Sequence, residues 1–272
     1  MPPSFGMIER SFITVPPGRI HVAQAGVGRP VLLLHQTPRS WDEYREVLPL
    51  LGRLYRAIAM DTLGFGDSDA LPLKDVSIER LAVAAHETLQ TLGHRRAVIV
   101  GHHTGAAIAA ELAAAFPDSV SALVLSASPF VDAERRSKAP GKKIIDEVAA
   151  DAGGKHLAEL WAMRAAFYPK DRPDLLERFI VDALKAGPMA AEGHRMVDRY
   201  VMETRLPLIK CPTLVIAPTA DPHAYPNAPK VAAAIKGAKL VEIAGGMVPL
   251  PDQMPAEFAD AVHGFIASLP AG

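Results

Sequence analysis

Residues 98–108 read VIVGHHTGAAI. The apolar run that ends at Val100 has the β-branched character of a short strand covered on both faces. The residues after Gly105 are alanine-rich, and alanine is the strongest helix former. Between them lies a five-residue turn, Gly101-His102-His103-Thr104-Gly105. The pattern predicts strand, tight turn and helix. Small residues at both ends of the turn let strand and helix approach closely. The middle residue, His103, is thereby thrust up at the helix N-terminus.

The same alternation runs outward in both directions. Apolar runs at 31–34, 57–60, 97–100, 122–125, 213–217 and 239–243 read as strands. Helix-compatible stretches at 41–51, 78–92 and 104–116 separate the first four. Another lies between the last two strands, and a final one covers about 256–268. Alternating strand and helix predicts an α/β fold, a mostly parallel sheet with helices on both faces. Residues 11–15 and 19–25 alternate apolar and polar around Pro16-Pro17-Gly18, a hairpin signal. From about 132 to 206 no buried strand is evident. The residues there are charged and alanine-rich, broken by Pro140-Gly141, Gly153-Gly154 and Gly187-Pro188. Structureless loops of this length are rare, so the stretch should form helices of its own. The expected organisation is a core of residues 1–131 and 207–272 with a helical lid, 132–206, inserted over a ligand crevice.

Composition narrows the function classes. The 272 residues carry 29 Lys and Arg against 30 Asp and Glu, a formal net charge of −1. That balance argues against nucleic acid as partner and gives no polybasic membrane anchor. No stretch reaches the ~18 apolar residues needed to span a bilayer. The first residues lack the apolar run of about 7–15 residues found in a signal peptide. A cytoplasmic protein acting on a small molecule is the expectation, with homodimer formation left open. The single cysteine, Cys211, excludes an internal disulfide and a cysteine-rich zinc module. Gly26-x-Gly28 lacks the third glycine and helix of a dinucleotide fingerprint. Neither a cofactor nor a metal is expected.

The turn resembles the nucleophile elbow of the α/β-hydrolase superfamily, normally Gly-x-Ser-x-Gly. Other segments fit the same family in order. LLLHQTPRSW (32–41) is similar to the strand and loop that carry half of the oxyanion hole. MDTLGFGDSD (60–69) resembles the glycine-rich loop after the next strand. ALVLSASP (122–129) resembles the strand leading into the lid. CPTLVIAPTADP (211–222) resembles the strand that delivers the catalytic acid, here Asp221. The resemblance runs from about residue 20 to 269. It implies the fold, a pocket, and a site at the carboxyl ends of the strands.

The departures change the chemistry. The elbow carries His103 where the family has Ser, Cys or Asp. Met247 stands at the position of the family's catalytic His, and Gln36 where an oxyanion-hole Gly is usual. Of the acid, base and nucleophile that a Ser–His–Asp mechanism needs, the family alignment leaves only Asp221. Serine-type acyl-enzyme chemistry at this elbow is therefore excluded. A slipped frame with Thr104 as nucleophile breaks the Gly-x-x-x-Gly spacing.

The resemblance suggests a rewired pair. The His103 ring would fill space left by the absent base, with Met247 beside it. Asp221 would hold one ring nitrogen, and the other would face the pocket as a general base. The backbone N–H groups of Thr104 and Gln36 would receive an oxyanion. Trp41, Met247 and Trp161 are expected to line the pocket, with Phe130, Phe167 and Tyr168 as further candidates. The expected activity is hydrolase or lyase chemistry on a small carbonyl or ester-like substrate. The alternative is a catalytically silent small-molecule binder. His102 reads as packing under the turn, and His263 as part of a surface helix. His194 and His223 are weaker candidates for the site, and Arg164 and Arg195 read as solvated. A metal cluster of His102, His103 and His223 with Asp221 is a third alternative. Cys211 starts the strand that ends at Asp221, so it cannot stand in for the nucleophile.

Overall fold

The computed structural model describes residues 7–141 and 143–270. The hairpin forms as β1 (Glu9–Val15) and β2 (Gly18–Ala25), and each apolar run then becomes a strand: β3 (Pro30–Leu34), β4 (Arg56–Met60), β5 (Ala97–His102), β6 (Val120–Ser126), β7 (Thr213–Pro218) and β8 (Lys239–Ile243). Their order is β1-β2-β4-β3-β5-β6-β7-β8. β1–β2 and β2–β4 pair antiparallel. All pairs from β4–β3 to β7–β8 are parallel. Every residue of β5 is buried, which explains its unbroken apolar character. β8 is the sheet's edge and exposes Lys239 and Glu242, charges that discourage further strand pairing.

The helices in chain order are α1 (Val47–Leu51), α2 (Ile78–Thr91), α3 (Thr104–Ala115), α4 (Ala133–Ser137), α5 (Lys155–Ala165), α6 (Pro173–Ala186), α7 (Pro188–Arg199), α8 (Ala228–Ala234), α9 (Leu250–Gln253) and α10 (Pro255–Ala267). The single helix expected over 41–51 is instead a 3₁₀ turn, Trp41–Tyr44, followed by α1. The Asp42 carbonyl accepts the Arg45 N–H and also the Arg178 guanidinium from α6. The tighter bond at this point closes the first turn before an α-helix can propagate through it.

Apolar clusters cover both faces of the sheet. α3 is buried from Thr104 to Ala113, and its alanines let it lie close on the sheet. The helices α4 to α7 all lie between β6 and β7 in sequence. They carry a small apolar cluster of their own, including Tyr168, Leu175 and Phe179. Met189, Met196 and Val197 of α7 join the main core, so the insert is docked onto the sheet domain. Among the described residues no helix is long and apolar enough to cross a membrane.

Candidate active site

The turn after β5 has the expected shape. His103 sits at φ 48° and ψ −113°, a backbone conformation that costs on the order of 1–3 kcal/mol for a residue other than glycine. The flanking glycines are required by contact. A Cβ on Gly101 would stand 2.2 Å from the Gly105 carbonyl oxygen, and one on Gly105 would stand 1.9 Å from the Leu34 oxygen. β3, β5 and α3 thus meet through bare backbone, and the strained turn lifts the His103 side chain over the carboxyl ends of the strands.

Asp221 arrives from the end of β7 and is fully buried. Its Oδ2 lies 2.7 Å from His103 Nε2. The approach is too bent for an in-line hydrogen bond, and neither atom has another partner among the described residues, so the two are paired by charge and proximity. Oδ1 of Asp221 accepts the backbone N–H groups of His223 (2.8 Å) and Ala224 (3.0 Å). Burial pushes the Asp221 carboxyl up. The His103 ring and the two N–H groups outweigh burial and hold it well below the ordinary carboxylate range. His103 lines a crevice of about 790 Å³, and its Nδ1 makes no hydrogen bond to the described residues. The arrangement can fix one ring nitrogen against a carboxylate and present the other to a ligand.

The remaining histidines separate by contact. His102 is fully buried, with Nδ1 3.0 Å from Ser126 Oγ and Nε2 donating to the Val248 carbonyl at 2.8 Å. Burial and the adjacent His103 push its pKa down to about 3. It therefore works as a neutral tie between the elbow and the loop that carries Met247 and Val248. With both ring nitrogens occupied it cannot join a metal cluster. His263, on α10, hydrogen-bonds Tyr55, just before β4 and away from the crevice. His194 and His223 line the crevice, and the His223 ring lies 4.7 Å from that of Phe167.

Thr104 opens α3, so its N–H has no intrahelical acceptor. Gln36 lines the crevice as expected, but its backbone N–H is not a free second donor. It donates to Glu43 Oε2 at 2.9 Å, and the Gln36 amide Nε2 lies 2.5 Å from Glu43 Oε1. The expected aromatic lining also differs. Trp41, Met247 and Trp161 are absent from the crevice wall. The Trp41 ring lies beneath the Arg10 guanidinium and beside His21. Trp161 is on the exposed side of α5. The loop bearing Met247 is turned by the Met247 N–H bond to Gln253. Phe130 does line the crevice, whereas Tyr168 packs against Phe179.

Two polar clusters escaped the sequence reading. Arg164 is buried, not solvated; it pairs through two nitrogens with Asp146. His194 Nε2 reaches the same carboxylate at 2.6 Å, and both Arg164 and His194 face the crevice. Arg39 is wholly buried among Asp42, Asp182 and Asp252. Arg178 joins it through Asp42, Asp252 and Glu46. This second cluster ties α6 of the insert to the loop after β3 and to α9. Its partners are up to 213 positions apart, so no local spacing announces it. Cys211 lies before β7, at the end opposite Asp221, and burial pushes its thiol up to about 11.

The alpha/beta hydrolase fold sequence model matches residues 29–246. A soluble epoxide hydrolase of Corynebacterium sp. (strain C12) is 36% identical over 91 residues, 34% of this chain and 32% of its own. Epoxide hydrolase 2 of Siraitia grosvenorii is 33% identical over 179 residues, 64% of this chain and 55% of its own. The chain thus spans from about a third to about half of the length of these two relatives. Among solved structures, an esterase from Rhodococcus sp. ECU1013 superposes with a TM-score of 0.79 at 22% identity, covering 96% of this chain and 99% of that one. An enol-lactonase from Burkholderia xenovorans LB400 gives 0.77 at 20% identity, covering 95% and 100%. These structural likenesses bear on the fold. By the match over most of its length, the chain belongs to the α/β-hydrolase fold family.

Proposed function

We propose that this protein is a hydrolase without a Ser–His–Asp triad, in which His103, paired with Asp221, acts as general base on a small ester-like or carbonyl substrate. The observation that carries the reading is the His103 ring in the crevice, with Nε2 2.7 Å from Asp221 and Nδ1 without a hydrogen bond to the described residues. In hydrolysis, Nδ1 takes a proton from water, and the hydroxide attacks the electrophilic carbon. The Thr104 N–H receives the developing oxyanion, Asp221 stabilises the imidazolium, and the ring returns its proton to the leaving oxygen. A positioned base of this kind contributes ~10²–10⁴ in rate. The names of the relatives, epoxide hydrolases, support a substrate with a strained or polarised carbon–oxygen bond. The helices of residues 132–206 serve as the lid, since Arg164 and His194 form part of the crevice wall. No cofactor takes part in these steps.

A second reading, a silent binder of small molecules, draws on the engagement of the Gln36 backbone N–H by Glu43. A turnover screen over esters, lactones and epoxides with wild type and His103→Ala separates the two. Turnover that falls with the variant supports the hydrolase. Ligand binding without turnover of any of these classes supports the binder.

A further inference from the structure

Glu43 holds Gln36 at both ends, through the backbone N–H and through the side-chain amide. The Gln36 amide atom nearest Glu43 Oε1 is at 2.5 Å. Amide oxygen and nitrogen are told apart by their partners and not by their positions. An oxygen at that place needs a proton on Glu43.

The surroundings of Glu43 favour that proton. The side chain is wholly buried. The cluster beside it already sets Asp42, Glu46, Asp182 and Asp252 against Arg39, Arg45 and Arg178. Carboxylates thus outnumber guanidinium groups, and each Arg39 bond goes to an aspartate, none to Glu43. An ionised Glu43 would add another buried negative charge with only amide partners. Arg39 and Asp252 act on it through space, with the Tyr44 and Tyr168 hydroxyls nearby. Burial outweighs Arg39 and pushes its carboxyl up to about 8.

We propose that Glu43 is uncharged in the working protein and that its O–H donates to the Gln36 amide oxygen, turning the Gln36 NH₂ group into the crevice as the second donor to an oxyanion. Glu43 Oε2 still accepts the Gln36 backbone N–H at 2.9 Å, so one side chain fixes both ends of Gln36. Glu43 is a positioning residue: it touches Gln36, and Gln36 touches the substrate. The lost backbone donor is thereby replaced by a side-chain donor. The inference rests on the hydrolase reading for its purpose, but not for its geometry.

The test has two arms. In uniformly ¹³C-labelled wild type, the Glu43 carboxyl carbon, assigned by its disappearance in Glu43→Gln, is followed from acid to alkaline pH. A carboxyl still protonated at neutral pH is expected; one that ionises in the ordinary glutamate range near about 4.3 overturns the proposal. This arm decides the matter even if no substrate is turned over, an outcome that would sink the hydrolase reading alone. The second arm uses an ester hydrolysed by wild type. Gln36→Ala should lose ~10²–10³ in kcat, as for removal of an oxyanion donor. Glu43→Ala should fall similarly, and Glu43→Gln, a neutral isostere that can accept the same N–H and donate to the same oxygen, should recover most of the loss. Wild type should lose activity at alkaline pH as Glu43 ionises, and Glu43→Gln should not. A Glu43→Gln variant no better than Glu43→Ala, or one that keeps the wild-type alkaline fall, overturns the proposal.

Discussion

The two walls of the crevice obey different rules. At the elbow, Gly101, His103, Thr104 and Gly105 are near neighbours in sequence, and bare backbone contact sets their geometry. Across the crevice, Asp146 meets His194 over 48 positions and Arg164 over 18, held by charge. The elbow is specified by what it cannot accommodate, a Cβ on either glycine. The opposite wall and its Arg39 anchor are specified by complementary charges brought together from distant segments. The contrast teaches that strain fixes the reactive group, whereas ion pairs fix what covers it.

That division can be broken experimentally. The largest effect should come at the elbow. Asp221→Asn leaves an amide oxygen for the His223 and Ala224 N–H groups but removes the charge facing His103, and kcat should drop by up to ~10⁴ with the fold intact. A loss below tenfold, measured on an ester turned over by wild type, would break the pairing. The next effect concerns the anchor. Among the described residues, Arg39→Ala leaves buried Asp182 with only the Ser40 hydroxyl and Asp252 with only Arg178, so denaturant melts should show a loss of about 3 kcal/mol. An unchanged midpoint would show that charge does not hold the insert.

A smaller effect follows from pH. Burial raises Glu43 to about 8 and Asp252 to about 6. Each group binds its proton more tightly folded than unfolded, so the stability it contributes is fully present below the unfolded carboxyl value near about 4 and is lost as pH rises through the folded value. Their contribution should therefore decline from pH about 4 to about 8. Buried neutral His102 opposes it below the ordinary His value of about 6.5, so the fall should show between about 6.5 and about 8, and Glu43→Gln should flatten it. Melts at several pH values in the two proteins check this; identical slopes would contradict it. The smallest effect lies outside the crevice. His263→Ala, which loses the Tyr55 bond, should cost about 0.5–1.5 kcal/mol and leave turnover alone.

The legible part of the molecule was that written in local pattern. Six apolar runs became the six strands β3 to β8, and the hairpin formed where Pro16-Pro17-Gly18 placed it. The strand-turn-helix spacing located His103, and the strand reaching Asp221 brought the carboxylate to it. The 41–51 stretch misled because Arg178, from a distant helix, captures the Asp42 carbonyl. Trp41 and Trp161 misled because an aromatic residue near a loop gives no direction for its ring. Arg164 read as solvated because its partner Asp146 lies on a separate segment, and the Gln36 backbone gave no sign of Glu43 seven positions on. Side-chain pairing across folded elements has no period, so sequence spacing cannot announce it.

The pairing of His103 with Asp221 is tested most directly by nitrogen NMR of ¹⁵N-histidine-labelled protein above the pH at which histidines lose their charge, with His103→Ala to assign the signal. One dominant His103 tautomer is expected, protonated on Nε2 toward Asp221 and bare on Nδ1, with that preference lost in Asp221→Asn. A His103 protonated on Nδ1, or a tautomer mixture unaffected by Asp221→Asn, would contradict it.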